Sequence, residues 1–284
     1  MSLGQRALAY ILVLKPRETL LLALMGWTTA LVAADLQPTP MRFLWTALAV
    51  LLGSAGANGL TNFLDRGVDA RMRRTQRRVL PRGLLRPAEA GIWAAGLVAV
   101  SLGMAWVLHP LAFGAGALAV VCALVARKTW ATHFLGIVSS CGPVWVAWFA
   151  MHPQMTPLLG LLTLLVALWV PVHVWTLMLA YREDYLRAGV NIFPLDKGRG
   201  LAPWLCFALS VALLGVVVVM ALVGRFGPLF WVGAGLTGLL LAWACWRMAR
   251  SPLPPLAIRP FRLSAYPFLG AVFLGMPLDR WLMG

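Results

Sequence analysis

Acidic side chains are scarce in this sequence. Nine Asp and Glu stand among 284 residues, against 24 Lys and Arg, and charged residues of both signs make up only 12%. A water-soluble domain of this length needs far more charge to cover its surface, so a soluble globular fold is excluded. Cysteine is equally sparse. Cys122, Cys141, Cys206 and Cys245 are scattered through apolar runs and form no CxxC pair, which removes a zinc site and a disulfide frame and leaves small buried fillers. Alternating polar and apolar positions are also missing. The apolar runs are continuous and rich in Leu, Ala and Gly, so a membrane β-barrel is excluded. Arg6, Lys15 and Arg17 precede the first long run with no small-residue cleavage site behind a short apolar core, so no cleavable signal peptide is expected.

What remains is a succession of apolar runs, each long enough for a helix to cross a bilayer. The pattern predicts an all-α polytopic membrane protein of nine spans, at approximately 19–35, 43–65, 88–108, 111–126, 133–150, 156–180, 202–223, 228–246 and 263–282. Residues 1–16 form an amphipathic lead-in on the membrane surface, and 1–284 is expected to be one domain. With the N-terminus in the cytoplasm, every basic residue except Arg42, Arg225 and Arg280 falls on the inner side. That asymmetry supports the span count, the orientation and a plasma (inner) membrane location. The net charge of +15 therefore reads as topology signal plus an anionic-substrate site, and a nucleic-acid partner is excluded.

Acids this few are informative where they cluster. At the inner end of the second span, Asn58, Asn62, Asp65 and Asp69 fall at i, i+4, i+7 and i+11, one face of a helix. Polar groups at that depth face a cavity or a partner. Two carboxylates one turn apart repel unless a cation lies between them, and Mg²⁺ suits one or two carboxylates plus phosphate oxygens. The run from Arg71 to Arg86 follows at once, and arginine grips phosphate in a bidentate way. Together these describe a diphosphate site.

A second constellation closes the sixth span. His173 and Asp184 are eleven residues apart and are expected to share a helical face, with Trp169 one turn before His173 and Tyr181 one turn before Tyr185. Pro171 is expected to kink the helix. Glu183 and Asp184 could hold a second divalent ion beside Arg182, Arg187 and Lys197, and two acidic helix ends on one side can share one diphosphate. A lone His in an apolar span is alternatively a hydrogen-bonded core residue. Trp148, Trp169 and Trp175 are candidates for an aromatic pocket. Arg127, Lys128, Thr132 and His133 form a weaker patch at the entry to the fifth span.

These segments resemble the UbiA-type intramembrane prenyltransferase superfamily, and within it the protoheme IX farnesyltransferase (haem O synthase) branch. The resemblance is carried by Asn58, Asn62, Asp65, Arg66, Asp69, Arg74, Thr75, Arg78, Leu80, Pro81 and Gly83. Pro171, His173, Trp175, Glu183, Asp184, Tyr185, Ala188, Gly189 and Pro194 continue it, and Lys128, Thr129, Leu135, Gly136, Pro143 and Trp148 do so more weakly. The chain departs from the family pattern at Thr61, Arg77, Val79, Thr132 and Asn191.

The resemblance implies helices in a ring around a central cavity, and a Mg²⁺-dependent transfer of farnesyl from farnesyl diphosphate to a vinyl group of haem b. It implies catalysis and metal binding by Asp65, Asp69 and Asp184, with Glu183 also at the metal. Diphosphate contacts would come from Asn58, Asn62, Arg66, Arg74, Arg78, Lys128 and Arg182. The acceptor would meet His173, Trp175, Tyr181 and Tyr185. Its partners would be the two substrates, membrane lipid and other haem-synthesis or oxidase assembly proteins. Prenyl transfer to a quinone precursor or chlorin, cyclisation of the prenyl diphosphate, and a non-catalytic assembly or transport role are the competing readings.

Overall fold

The computed structural model describes residues 2–127, 129–196, 200–251 and 253–283. Among them every regular element is a helix: α1 Leu3–Leu12, α2 Pro16–Ala33, α3 Pro40–Arg71, α4 Pro87–Leu108, α5 Pro110–Ala126, α6 Thr132–Met151 and α7 Pro157–Ala180, then α8 Arg182–Arg187, α9 Leu201–Val223, α10 Pro228–Arg250, α11 Pro254–Leu263 and α12 Gly270–Met283. Proline opens α2, α3, α4, α5, α7, α10 and α11. At that position its missing N–H would be unsatisfied anyway and its fixed φ suits the helix, so the sequence marks these starts locally. Thr156 caps α7 by accepting from the Leu159 N–H at 3.2 Å.

Among the described residues, seven helices are long and apolar enough to cross a membrane: α3, α4, α6, α7, α9, α10 and the segment Pro254–Leu282. The last joins α11 to α12 through a π-helical turn, Ser264–Leu269, broken at Ala265. The indole N–H of Trp169 donates to the Ser264 carbonyl there at 2.6 Å, satisfying a group that the broken ladder releases. α5 is apolar but has 17 residues. α2 has 18 residues and carries Arg17 and Glu18 in its first turn. The nine-span expectation thus stands at seven on length and composition.

Without water to drive apolar surfaces together, membrane helices associate through close packing at small residues and hydrogen bonds. Both devices are present. A Cβ on Gly56 would lie 2.7 Å from the Ala94 carbonyl, and one on Gly142 would lie 2.5 Å from the Ala119 methyl, so α3 meets α4 and α5 meets α6 at backbone range. Ser101 on α4 donates to the Ala49 carbonyl on α3 at 2.7 Å. The largest core cluster lies elsewhere, where Leu162, Leu165 and Val166 of α7 meet Leu213 and Met220 of α9, Phe230 and Leu241 of α10, and Phe268 and Phe273. The space left open is off-centre. Helices α2 to α7 wall it, a partial arc rather than the full ring expected.

Candidate active site

α3 positions the first acidic pair. Its 32 residues span about 48 Å, well beyond the ~30 Å of a bilayer's hydrocarbon core. The surplus turns therefore carry Asp65 and Asp69 to one end of the bundle, where the basic connection to α4 begins. Asp65 lines the mouth of a cavity of about 350 Å³, with Asn58, Thr61, Arg127 and Thr132 beside it. Below the mouth the walls are small and mostly apolar, with Ala57, Ala119, Ala123, Gly136 and Gly142 interspersed with Ser54, Ser101, Ser139 and Ser140, and the far end is closed by Ala49, Leu102, Gly116 and Val146. Arg127 reaches in from the end of α5. Its Nε lies 3.4 Å from Asp65 Oδ1, and its Nη2 donates to the Leu64 carbonyl at 2.7 Å.

Asp69, one turn on, is 1% exposed and pairs with Arg78, whose Nη1 is 2.8 Å from Oδ2. The Thr75 hydroxyl donates to the Asp69 carbonyl at 2.9 Å, folding the basic loop back over the helix end. The two asparagines on this face are braces. Asn62 Nδ2 donates to the Val13 carbonyl at 2.6 Å while its Oδ1 accepts from Arg78 at 3.3 Å. Asn58 Nδ2 donates to Thr19 Oγ1 at 2.9 Å, and Asn58 also lines the cavity. They hold the junction of α1 and α2 against α3.

That junction brings in Lys15, which the sequence reading treated only as a topology signal. Lys15 adopts φ 51° in the turn before Pro16, and its Nζ donates to Thr61 Oγ1 at 3.1 Å. Burial, then repulsion from Arg78, lowers its ammonium from the usual 10.5 to about 8, against the pull of Asp69, Glu18 and Asp65. Lys15, Arg78, Asp65 and Asp69 thus form one electrostatic group. Thr61, a departure from the family pattern, is the side chain that receives Lys15.

The second constellation divides. The helix breaks at Tyr181, with φ −114° and ψ 32°, so the phase that would align His173 with Asp184 is lost. Two residues apart on α7, His173 and Trp175 also face different ways. His173 Nδ1 lies 2.9 Å from Ser264 Oγ, and its ring sits between Trp169 at 4.8 Å and Phe261 at 4.7 Å. The Trp175 indole instead donates to His133 Nδ1 at 3.2 Å and packs on Phe193 at 4.8 Å. His133 Nε2 is buried without a hydrogen-bond partner. The residues that line the cavity from α7 are Val170 and Val174. Tyr185 is buried with Met72, Met178 and Leu195 in a small apolar cluster.

Asp184 has another employment. Its Oδ2 accepts from the Arg74 backbone N–H at 2.8 Å, and Arg187 Nη1 lies 3.4 Å from its Oδ1. It fastens α8 to the basic loop, while Glu183 is exposed. Like Asp69, neither Glu183 nor Asp184 is among the residues that line the cavity. Arg66 turns back on its own helix, donating to the Phe63 carbonyl at 2.7 Å. The Arg74 guanidinium lies over the Tyr181 ring at 5.3 Å. Arg182 lies among Leu179, Pro203 and Met248 with its Nε buried and unpartnered. Lys128 and Lys197 lie outside the described residues.

Among the described residues no three His, Cys, Asp or Glu side chains gather closely enough to hold a metal by themselves. The donors present are oxygens, two carboxylates one helical turn apart next to cations. That set suits a hard cation that completes its shell with substrate oxygens and waters, as Mg²⁺ does, and does not suit zinc or copper.

The chain matches the model of the UbiA prenyltransferase family over residues 19–265. A protoheme IX farnesyltransferase of Desulforudis audaxviator is 35% identical across 97% of this chain and 89% of its own. One of Symbiobacterium thermophilum is 30% identical across 97% and 95%. Among solved structures, a digeranylgeranylglyceryl phosphate synthase superposes with a TM-score of 0.78 at 14% identity, covering 98% of this chain and 99% of that one. A UbiA homologue from Archaeoglobus fulgidus bound to GPP and Mg²⁺ gives 0.66 at 14% identity over 94% and 99%. A family match across most of the chain, curated relatives over nearly its full length, and a shared helical fold agree: this multi-pass membrane protein belongs to the UbiA prenyltransferase family.

Proposed function

We propose that the protein transfers the farnesyl group of farnesyl diphosphate to a vinyl group of haem b. The observation that carries this reading is the cavity: a mostly apolar shaft among α2–α7 whose single acidic lining residue, Asp65, stands at the mouth with Arg127. An isoprenoid diphosphate has that same division, a long apolar tail and a compact anionic head. The curated relatives carry the name of the acceptor chemistry.

In this reading Asp65 and Asp69 would hold Mg²⁺, which would supply positive charge against the leaving diphosphate. Arg127, Arg78 and Lys15 supply positive charge to the diphosphate as its bond to the allylic carbon breaks. The small apolar side chains below the mouth keep water from the resulting cation. The vinyl π electrons close the new carbon–carbon bond. Water then adds to the carbon beside the macrocycle with loss of a proton, giving a hydroxyethylfarnesyl side chain. Asn58 and Asn62 act by position, holding Thr19 and Val13 so that Lys15 stays at the mouth.

The same reading takes α2 and α5 as spans. At 1.5 Å per residue they cover about 27 and about 26 Å, within reach of a bilayer core. Nine crossings put the cavity mouth and the basic loop on the cytoplasmic side of the plasma membrane, with α1 lying along its surface. Purified protein given farnesyl diphosphate, Mg²⁺ and haem b is expected to form a pigment heavier by one farnesyl group and one hydroxyl group. Recovery of haem b alone, or of a cyclised hydrocarbon without acceptor, would remove this assignment.

A further inference from the structure

The basic loop carries more arginine than the cavity uses. Arg78 and Arg127 face the carboxylates of α3, but Arg71, Arg73, Arg74 and Arg77, with Arg187 of α8 and Gln76, line a separate open cup of about 650 Å³. Among the described residues Arg71, Arg73 and Arg77 have no carboxylate within ion-pairing distance. No acid lines the cup; Asp184, behind it, accepts from the Arg74 backbone and pairs with Arg187, so it braces two of the lining arginines and leaves the lumen positive. A positive-inside signal needs basic residues near a helix end; it does not need five of them converging on one concavity. Like charges held together in this way favour a ligand with paired oxyanions, which the planar forks of arginine grip two oxygens at a time.

We infer that this cup binds the paired carboxylates of the acceptor, the propionate edge of the tetrapyrrole. The inference rests on the haem reading above and adds where the acceptor is held. Arg71 ends α3 six residues past Asp65, about 9 Å along the helix. A macrocycle carries propionates and the reacting vinyl on different edges. With the cup and the mouth this close along α3, a macrocycle gripped in the cup is wide enough for its far edge to reach the mouth. Asp184 becomes a positioning residue: it sets the cup by fixing Arg74 and Arg187.

The test compares haem b with its dimethyl ester, which keeps the macrocycle and loses both negative charges. Each is titrated into wild-type protein and into Arg73→Gln/Arg77→Gln, in discs of zwitterionic lipid, and followed by the Soret band. Wild type should bind haem b at least about ten-fold more tightly than the ester, the size of one or two charge-assisted hydrogen bonds. The variant should bind both with the ester's affinity, while farnesyl diphosphate binding stays unchanged. Both replaced side chains are exposed; the single variant Arg71→Gln serves if the double one does not fold. A preference for haem b that survives in the variant, or is missing in wild type, overturns the inference. So does a loss confined to binding of anionic lipid, which would make the cup a headgroup site. Farnesylated haem made by a variant that keeps its preference would refute the cup and spare the proposed reaction. A preference that vanishes in a protein unable to make that product would do the reverse.

Discussion

Arg78→Ala tests how the acidic helix end is held. Arg78 Nη1 lies 2.8 Å from Asp69 Oδ2; the Asp69 side chain is 2% exposed and that of Arg78 28%. Breaking a fully buried pair costs 3–5 kcal/mol. Here the cation has a wet side and Asp69 keeps other contacts, so the loss should be about 2 kcal/mol. Arg78 also donates to Asn62 at 3.3 Å, a longer bond contributing about 0.5 kcal/mol. The sum corresponds to a fall in unfolding midpoint of about 5–10 °C. A double-mutant cycle with Asp69→Asn in lipid discs isolates the pair term. The two single losses should overlap by about 2 kcal/mol, because either change removes the same ion pair. Additive losses, within about 0.5 kcal/mol, would show that the contact does not fasten the loop to α3 and would refute the reasoning.

Other outcomes follow from the same geometry. Asp65→Asn should abolish Mg²⁺-dependent release of diphosphate from the donor while leaving the melting temperature within a few degrees; a full rate of release would remove the metal-bridged site. Chelation by EDTA should stop turnover of wild type, and added Mg²⁺ should restore it. Gly116→Leu should shift donor preference from farnesyl to geranyl diphosphate, because even a Cβ there sits 3.2 Å from Leu102 and 3.3 Å from Val146 at the closed end. An unchanged preference would place the tail elsewhere.

Lys15 gives a pH signature. Its folded value, lowered to about 8, lies below the usual 10.5. Below pH 8 both folded and unfolded chains carry the charge and its burial cost is present in full. Between about 8 and 10.5 the unfolded chain binds more protons, so stability rises with pH in that window. Thermal midpoints of metal-free wild type from pH 7.5 to 10 should show that rise, and Lys15→Gln should flatten it. Parallel curves would contradict the assignment.

Much of this architecture was legible in the residues, because membrane helices are written in long apolar runs and their starts in proline. The first acidic face was legible for a similar reason: Asn58, Asn62, Asp65 and Asp69 lie on one uninterrupted helix, where spacing fixes phase. The reading lost accuracy where the chain stops being helical. Tyr181 interrupts α7, and a single non-helical residue there separates His173 from Asp184. Lys15 was missed because its nearness to Thr61 comes from the fold, across 46 residues of sequence. The division of the arginines into those at the mouth and those in the cup depends on how Thr75 and Asp184 pin the loop, and no periodicity records that. The off-centre cavity reflects α7, α9, α10 and α12 filling their shared interior with Leu, Met and Phe, whereas α3, α5 and α6 face one another with Gly, Ala and Ser.

In the proposed reaction the donor's anionic head sits at Asp65 with its tail running down the shaft, and a structure of the protein with Mg²⁺ and a non-hydrolysable farnesyl thiodiphosphate would show whether it does. The expected structure has an ion between the carboxylates of Asp65 and Asp69 and the thiodiphosphate, Arg127 and Lys15 against the head, and the last isoprene unit near Gly116. A thiodiphosphate lodged among Arg71, Arg73 and Arg77, with the shaft empty, would contradict it.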